Sequence, residues 1–293
     1  MNANTIVLLV GSMLLCSCTS FYSWIGVSPS ARMNGISFAE TPTDPRFVFD
    51  YPDTCGNGYL DSLRATYALD QLIVEDSNDL QRIASVLDWT SQQWSHHGSN
   101  APSKQDAWTI LKEAREGKQF RCVEYGIVAS AALNAVGLKA RVLGLKTRDV
   151  ERVMRGAGHV VAEVYSDEWG KWIFLDPQFN VLPVLDGLPL NAVEFQQALV
   201  EKNPSLTLVN KEGTLSQEEA ARYTDWVGKY LYYFDALFDQ RSLRDESYKR
   251  IEGMTKLTLV PVGSKEPRVF QRNSKINYSH YTHSLNDFYQ KPD

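Results

Sequence analysis

The sequence predicts an α+β protein. Apolar residues recur at helical spacing in four segments between residues 59 and 136. Beyond that point the pattern changes to the alternation that is typical of strands, over residues 139–147, 159–166 and 171–175. Because these strands follow one another closely, with a short turn between the last two, they are expected to pair antiparallel. Helices followed by an antiparallel sheet are the arrangement of the α+β class.

Four helices are expected before the strands. Each is indicated by apolar periodicity and by a candidate capping residue or a terminating glycine. They cover residues 59–74, 78–94, 103–116, with Ser103 as the cap of the third, and 122–136, with Gly137 ending the fourth. After residue 190 we expect helices over 191–202 and 216–238 and strands over 255–262 and 268–272.

The N-terminus predicts export. Residues 6–15 form an apolar run that is too short to span a bilayer and resembles the core of a signal peptide over residues 1–17. The run leads into Leu15-Cys16-Ser17-Cys18, which resembles a bacterial lipoprotein signal. Cys18 is the expected lipidated residue, because the small Ser17 precedes it, whereas Leu15 precedes Cys16. An ordinary signal peptide cut nearby is the alternative.

A lipidated Cys18 implies a membrane partner and a location. Two acyl chains on one residue are enough for stable anchoring. Thr19 is not the aspartate that often retains lipoproteins at an inner membrane, so we expect the bacterial cell envelope, at an outer membrane facing the periplasm or the surface. The domains expected after the signal are a tether and lead-in at 18–50, a folded domain at 51–190, and an extension at 191–293 of unknown role that packs on the core.

Charge and composition exclude several other classes. The chain has 293 residues with 30 basic and 35 acidic side chains, and the basic ones form no stripe. We therefore expect no nucleic-acid partner. His96 and His97 are adjacent and lack further ligands nearby in the sequence, so no metal site and no cofactor are predicted.

Cys122 begins the fourth predicted helix, and this position is chemically special. The unpaired N–H groups and the dipole at a helix N-terminus favour the thiolate, which is the nucleophilic form of cysteine. A cysteine nucleophile also needs a base, and the base needs a third group to orient its ring. His159 opens one predicted strand, and Asp176 follows the end of the next.

The turn between those two strands decides whether His159 and Asp176 meet. An even-length turn at residues 167–170 pairs Asp176 with Val161, which places His159 on the same face as a diagonal neighbour. An odd-length turn places the two side chains on opposite faces and separates them.

Four segments then carry a family resemblance. They are Arg121-Cys122-Val123-Glu124-Tyr125, Gly137-Leu138-Lys139-Ala140-Arg141-Val142, Gly158-His159-Val160-Val161-Ala162-Glu163-Val164 and Trp172-Ile173-Phe174-Leu175-Asp176-Pro177. Their content and order over residues 80–180 resemble the transglutaminase-like superfamily of papain-fold thiol enzymes. Arg121, in place of a small residue, and Val160, in place of an aromatic residue, depart from the family pattern.

The resemblance implies a papain-like core and a Cys122–His159–Asp176 triad that acts on peptide or protein amides. The oxyanion would be met by the Cys122 backbone N–H and a second donor, for which Trp94 is the candidate, with Gln119 behind it. Water would then give a protease or amidase, and an amine would give a transglutaminase.

Two alternatives stay open at this point. Cys55 and Cys122 are the remaining cysteines after the signal, and an exported compartment is oxidising, so they can instead form a structural disulfide. The fold can also serve as an inactive binding scaffold on a surface lipoprotein, because fold does not imply function.

Overall fold

The computed structural model describes residues 35–74, 77–241 and 249–293. The predicted signal peptide, Cys18 and the tether up to residue 34 lie outside these residues. Within the described ranges, no helix combines the length and apolar character needed to cross a bilayer.

The helices alternate with strands only in the second half of the chain. They are α1 (Gly58–Thr66), α2 (Asp79–Ser91), α3 (Ala107–Arg115), α4 (Cys122–Ala135), α5 (Ala192–Glu201), α6 (Gln217–Val227) and α7 (Leu285–Phe288), with short 3₁₀ turns at Leu69–Leu72 and Gly228–Tyr230.

The strands form a main sheet, a smaller sheet and a ribbon. They are β1 (Ala140–Lys146), β2 (Gly158–Ser166), β3 (Lys171–Leu175), β4 (Leu182–Leu185), β5 (Leu188–Pro189), β6 (Leu206–Asn210), β7 (Gly213–Thr214), β8 (Tyr233–Leu237), β9 (Lys256–Leu259), β10 (Val269–Phe270), β11 (Ser274–Lys275) and β12 (Ser279–Thr282). The main sheet has the order β12-β9-β8-β1-β2-β3, and every neighbouring pair in it is antiparallel except β9 with β12. The α+β class is thereby confirmed.

Helix α4 is the central helix of the first half of the chain. It begins at Cys122 and its chain reverses through Gly137, whose φ of +91° is the left-handed conformation that glycine adopts without strain. Helices α1, α2 and α3 and strands β1 and β2 all pack around it. Such surroundings explain why almost every side chain of α4 is buried and why its sequence is apolar on all sides.

The hairpin β2–β3 has the even-length turn on which the site depends. Tyr165 pairs with Trp172, and Ser166 pairs with Lys171. The predicted register is therefore confirmed. The last residues of β3 run back alongside the first residues of β2, so the histidine and the aspartate of this hairpin lie at the same end of the sheet.

Three of the predicted helices differ in the structure. The third is capped by the Asp106 side chain, which accepts from the Thr109 N–H at 2.9 Å, and it does not begin at Ser103. The first ends early because Ala68 adopts a left-handed conformation. The predicted helix over 216–238 was wrong, because α6 ends at Val227 and the chain then enters strand β8.

The C-terminal residues add strands to the main sheet and pack helices on its second face. Strand β8 pairs with β1, and β9 and β12 continue the sheet beyond it. Side chains of α1 to α4 pack on one face of β1 to β3. Side chains of α5, α6 and the C-terminal strands, together with Phe47 and Phe49, form a second core on the opposite face.

Candidate active site

Cys122 is the first residue of α4 and is half-buried with a free thiol. Cys55 lies before α1, is exposed, and is free as well. The disulfide between them, which the sequence left open, is not formed in this structure. The sulfur of Cys122 is therefore available for chemistry at a helix N-terminus, where the thiolate is favoured.

Arg121, a departure from the family pattern, caps this helix through an ion pair. Its guanidinium donates to Glu124 at 2.6 Å and 3.1 Å, and its backbone N–H donates to the same carboxylate at 3.1 Å. Glu124 is fully buried. The hydrogen bond that Arg121 donates to Glu124 raises the pKa of Arg121, and the neighbouring Cys122 contributes to a smaller extent. A fixed cation thus stands next to the sulfur.

His159 and Asp176 are joined by a hydrogen bond at the end of the hairpin. The distance from His159 Nε2 to Asp176 Oδ2 is 2.7 Å, and both side chains are buried. Since Nε2 is occupied by the carboxylate, Nδ1 is the ring nitrogen left for Cys122, which lies near enough to raise the pKa of the imidazole. The structure therefore brings all three predicted residues together.

The charges around His159 make it a strong proton acceptor. Burial alone lowers the pKa of the imidazole, but the Asp176 carboxylate and the contact with Cys122 outweigh burial and raise the pKa to about 9. The imidazole of His159 is therefore expected to carry a proton at neutral pH, which it can give to a leaving group.

Asp176 is surrounded by hydrogen-bond donors on both oxygens. Oδ1 accepts from the backbone N–H groups of Gln178 at 3.1 Å and Phe179 at 3.4 Å. Oδ2 accepts from Tyr223 Oη at 2.9 Å in addition to His159. The carboxylate is therefore held as an acceptor in one orientation.

An aromatic wall covers the His159 ring. Trp226 is closest, with ring centroids 4.8 Å apart and nearly perpendicular planes, and Tyr230 and Phe179 lie at 5.8 Å and 6.2 Å. Trp226 also packs on Phe179 at 4.6 Å. The helical spacing of Tyr223, Trp226 and Tyr230 is visible in the sequence, but it indicates only packing. Their position against the histidine depends on the path of the chain after residue 190.

Trp94 is buried beside the start of α4. Its ring packs on Tyr125 at 4.4 Å and on Phe120 at 5.6 Å, and the Tyr125 hydroxyl donates to the Trp94 carbonyl at 2.6 Å. The indole Nε1 has no hydrogen-bond partner among the described residues, although it is buried. A buried donor without a partner is unusual and costly.

Gln119 lies in the segment leading to Cys122 and is exposed. Its backbone carbonyl accepts from the Asn100 side chain at 2.9 Å.

His96 lies near the site, a position that the sequence does not predict for it. The loop that carries it pairs with Phe120, two residues before Cys122, and His97 N–H donates to the Phe120 carbonyl at 2.7 Å. Burial lowers the pKa of His96, and the positive charge of His159 lowers it further. Within the described ranges, no cluster of three potential metal ligands occurs.

Part of the chain matches a known protein family. Residues 67–177 match the model of the transglutaminase-like superfamily. No curated protein gives a significant match to the chain.

Several solved structures are similar to part of this chain. A candidate cysteine protease from Cytophaga hutchinsonii is 17% identical, with 48% of this chain and 46% of that chain covered and a TM-score of 0.33. The periplasmic domain of TgpA from Pseudomonas aeruginosa is 18% identical, with 43% and 45% covered and a TM-score of 0.30. Calcium-bound LapG from Legionella pneumophila is 14% identical, with 55% and 87% covered and a TM-score of 0.31.

The chain spans less than half of the length of the first two of these structures. TM-scores near 0.3 do not by themselves establish a shared fold. The assignment rests instead on the family match, which begins before α2 and ends one residue after Asp176. Residues 67–177, which include Cys122, His159 and Asp176, are thus similar to the transglutaminase-like superfamily.

Proposed function

We propose that this protein is an exported, lipid-anchored thiol enzyme that transfers or hydrolyses acyl groups of peptide or protein amides. Cys122 is the nucleophile, His159 is the general acid and base, and Asp176 orients His159. The observation that carries the proposal is the 2.7 Å hydrogen bond between His159 and Asp176 beside Cys122, whose proximity raises the pKa of the imidazole.

The chemistry follows from that arrangement. The Cys122 sulfur attacks the amide carbonyl carbon, a C–S bond forms, and the carbonyl oxygen becomes an oxyanion. The imidazolium of His159 gives its proton to the amine, the C–N bond breaks, and a thioester remains. His159 then takes a proton from water or from an amine, which attacks the thioester and releases the sulfur. Water yields hydrolysis, and an amine yields transamidation.

The oxyanion in this scheme is stabilised by the Cys122 backbone N–H and the indole N–H of Trp94. The support for Trp94 is its unpartnered Nε1 in a buried position next to the first turn of α4. Gln119 remains the second candidate, because it lies three residues before Cys122 in the exposed segment.

The reactivity of Cys122 tests the nucleophile. The full chain is treated with iodoacetamide between pH 5 and pH 10, and alkylation is followed in the tryptic peptides 122–139 and 47–64, which carry Cys122 and Cys55. At pH 6 we expect Cys122 to react at least about tenfold faster than Cys55, because an ordinary exposed thiol is almost entirely protonated there. Equal rates at pH 6 would refute the proposed thiolate.

The reaction itself is tested with casein as a nonspecific substrate, with and without dansylcadaverine as an acceptor amine. Shorter fragments identify a hydrolase, and fluorescent casein identifies a transamidase. The Cys122→Ala variant is the control and should form neither. A reactive Cys122 without any product over a broad panel of proteins would instead favour the binding scaffold.

The anchor is tested separately by metabolic labelling with an alkyne analogue of palmitate in a bacterial host. We expect the full chain to be labelled, Cys16→Ser to keep the label and Cys18→Ser to lose it, because Ser17 precedes Cys18. Label retained in Cys18→Ser would show that this cysteine is not the lipidated residue.

A further inference from the structure

We propose that Tyr223, from the C-terminal part of the chain, is a positioning residue of the active site that fixes the Asp176 carboxylate for His159. This inference rests on the proposed function. It gives the residues beyond the family match a direct part in the chemistry, because Tyr223 lies 46 residues after the match ends at residue 177.

The geometry at Asp176 Oδ2 is the first argument. Tyr223 Oη donates to this oxygen at 2.9 Å, and His159 Nε2 lies 2.7 Å from the same oxygen. Oδ1 is already held by two backbone N–H groups of the following turn. Without Tyr223, Oδ2 would keep His159 as its one side-chain donor among the described residues, so the carboxylate would rotate more freely about its terminal bond.

The rigidity of α6 is the second argument. Its N-terminus is fixed by a capping box in which Ser216 and Glu219 exchange hydrogen bonds. Tyr223 and Val227 are buried in the second core, and Trp226 packs on the His159 ring. The tyrosine hydroxyl is therefore aimed at the carboxylate by packing rather than by a mobile loop.

The state of the hydroxyl is consistent with a permanent donor. Burial, together with the negative charge of Asp176, raises the pKa of Tyr223 well above its ordinary value. The phenol thus stays protonated across the pH range in which a thiol enzyme works, and Asp176 keeps this donor throughout.

The test compares Tyr223→Phe with the matched variant Tyr233→Phe in the full chain. Both tyrosines are almost fully buried, at 4% and 5% exposure, and both donate a hydrogen bond at 2.9 Å. Tyr233 donates to the Lys265 carbonyl, so its loss removes a comparable contact from a place outside the site. The readout is alkylation of Cys122 at pH 6 and at pH 9.5, with the melting temperature measured in parallel.

We expect Tyr223→Phe to lower the alkylation rate at pH 6 about fivefold or more and to change the rate at pH 9.5 less than twofold, since most thiols are ionised there. Tyr233→Phe should lower the melting temperature to a similar extent and leave both rates unchanged. A Tyr223→Phe variant whose pH profile matches the wild type would overturn the inference and leave Tyr223 a structural residue. A wild type that lacks fast alkylation at pH 6 would contradict the proposed function itself, so the two failures are distinguishable.

Discussion

At the scale of single residues, the most informative feature of the site is the buried indole N–H of Trp94. Trp94 is 8% exposed, and its indole N–H is unpaired within the described part of the chain. An unpaired buried donor costs on the order of 1–3 kcal/mol. Such a cost is tolerated at a site where the donor is used in the reaction, and a developing oxyanion is the charge that this N–H would meet.

The Trp94→Phe variant tests this role. It keeps an aromatic ring between Tyr125 and Phe120 and removes the N–H. With p-nitrophenyl acetate as an acyl donor, we expect acylation of Cys122 to fall on the order of 100-fold, because that step passes through an oxyanion. Alkylation by iodoacetamide forms no oxyanion and should be unchanged.

Trp89→Phe is the control for loss of packing, since Trp89 is partly buried and packs against the same core. It should leave acylation within about twofold of the wild type. If Trp94→Phe slows alkylation as much as acylation, the substitution has disturbed the nucleophile rather than the oxyanion site.

The sequence predicts the residues of the proposed triad, but it does not predict the residues that surround the triad in the fold. Cys122, His159 and Asp176 can be predicted because each lies at the start or end of a predicted helix or strand. Tyr223 and His96 cannot be predicted as site residues, because Tyr223 contacts Asp176 across 47 residues of sequence and His96 lies near His159 across 63. No local spacing encodes such a contact.

At the scale of elements, the site depends on how closely α4 approaches β2. Gly126 makes this approach possible, because a Cβ at that position would lie 2.8 Å from the Val161 carbonyl oxygen and 3.0 Å from a Val160 methyl group. The carbonyl is backbone and cannot move without displacing the strand. Since β2 also carries His159, the spacing of helix and strand sets the spacing of sulfur and imidazole.

Gly126→Ala is therefore expected to lower the free energy of unfolding by about 1–3 kcal/mol, as overpacking does. It should also slow alkylation of Cys122 at pH 6, because α4 is pushed away from His159. Urea denaturation and the labelling assay measure the two effects.

Gly58→Ala is the control, because it adds the same methyl group at a position where there is space for it. Gly58 is the first residue of α1, and an added methyl group there meets nothing within 4 Å. We expect no loss of stability, and a gain of up to about 1 kcal/mol from reduced backbone freedom. Equal destabilisation by both substitutions would contradict the close-approach explanation.

The bounds of helices and strands can be predicted where the local sequence determines them. The even-length turn determines the β2–β3 register, and the glycine after α4 determines where that helix ends. The failure over residues 216–238 has a physical cause, because Tyr233, Phe234 and Phe238 continue the helical spacing of α6 by coincidence. Pairing of β8 with β1 in the sheet overrides that local pattern.

At the scale of the whole molecule, a buried charge cluster joins the transglutaminase-like domain to the C-terminal residues. Lys146 on β1 and Lys256 on β9 both form ion pairs with Asp235 on β8, and Asp235 is 2% exposed. Gly144 leaves room for this carboxylate, since a Cβ there would lie 2.5 Å from Asp235 Oδ2. Ion pairs as well as backbone hydrogen bonds thus link the transglutaminase-like domain to the C-terminal strands across the main sheet. We therefore expect the two parts to unfold together.

The charges of this cluster determine the direction in which the free energy of unfolding changes with pH. Burial alone would raise the pKa of Asp235, but the two lysines outweigh burial and hold it far below its ordinary value. A carboxyl whose pKa is lowered by folding stabilises the native state at every pH above about 3.9, the ordinary value. That contribution is lost as the pH falls from there through the lowered native pKa.

Asp235→Asn should therefore lower the free energy of unfolding at pH 7 by about 3–5 kcal/mol, because it leaves Lys146 buried beside an uncharged partner. Asp167→Asn is the control, since Asp167 and its partner Lys291 are 85% and 70% exposed, and it should change stability by less than about 0.5 kcal/mol.

Urea denaturation at pH 7, 4 and 3 measures both variants. The difference between wild type and Asp235→Asn should shrink below pH 4, because the Asp235 carboxyl is protonated there in the unfolded chain while it stays charged in the native state. A difference that stays constant down to pH 3 would mean that the ion pairs with Lys146 and Lys256 do not hold the sheet together, and that Asp235 acts there through its shape alone.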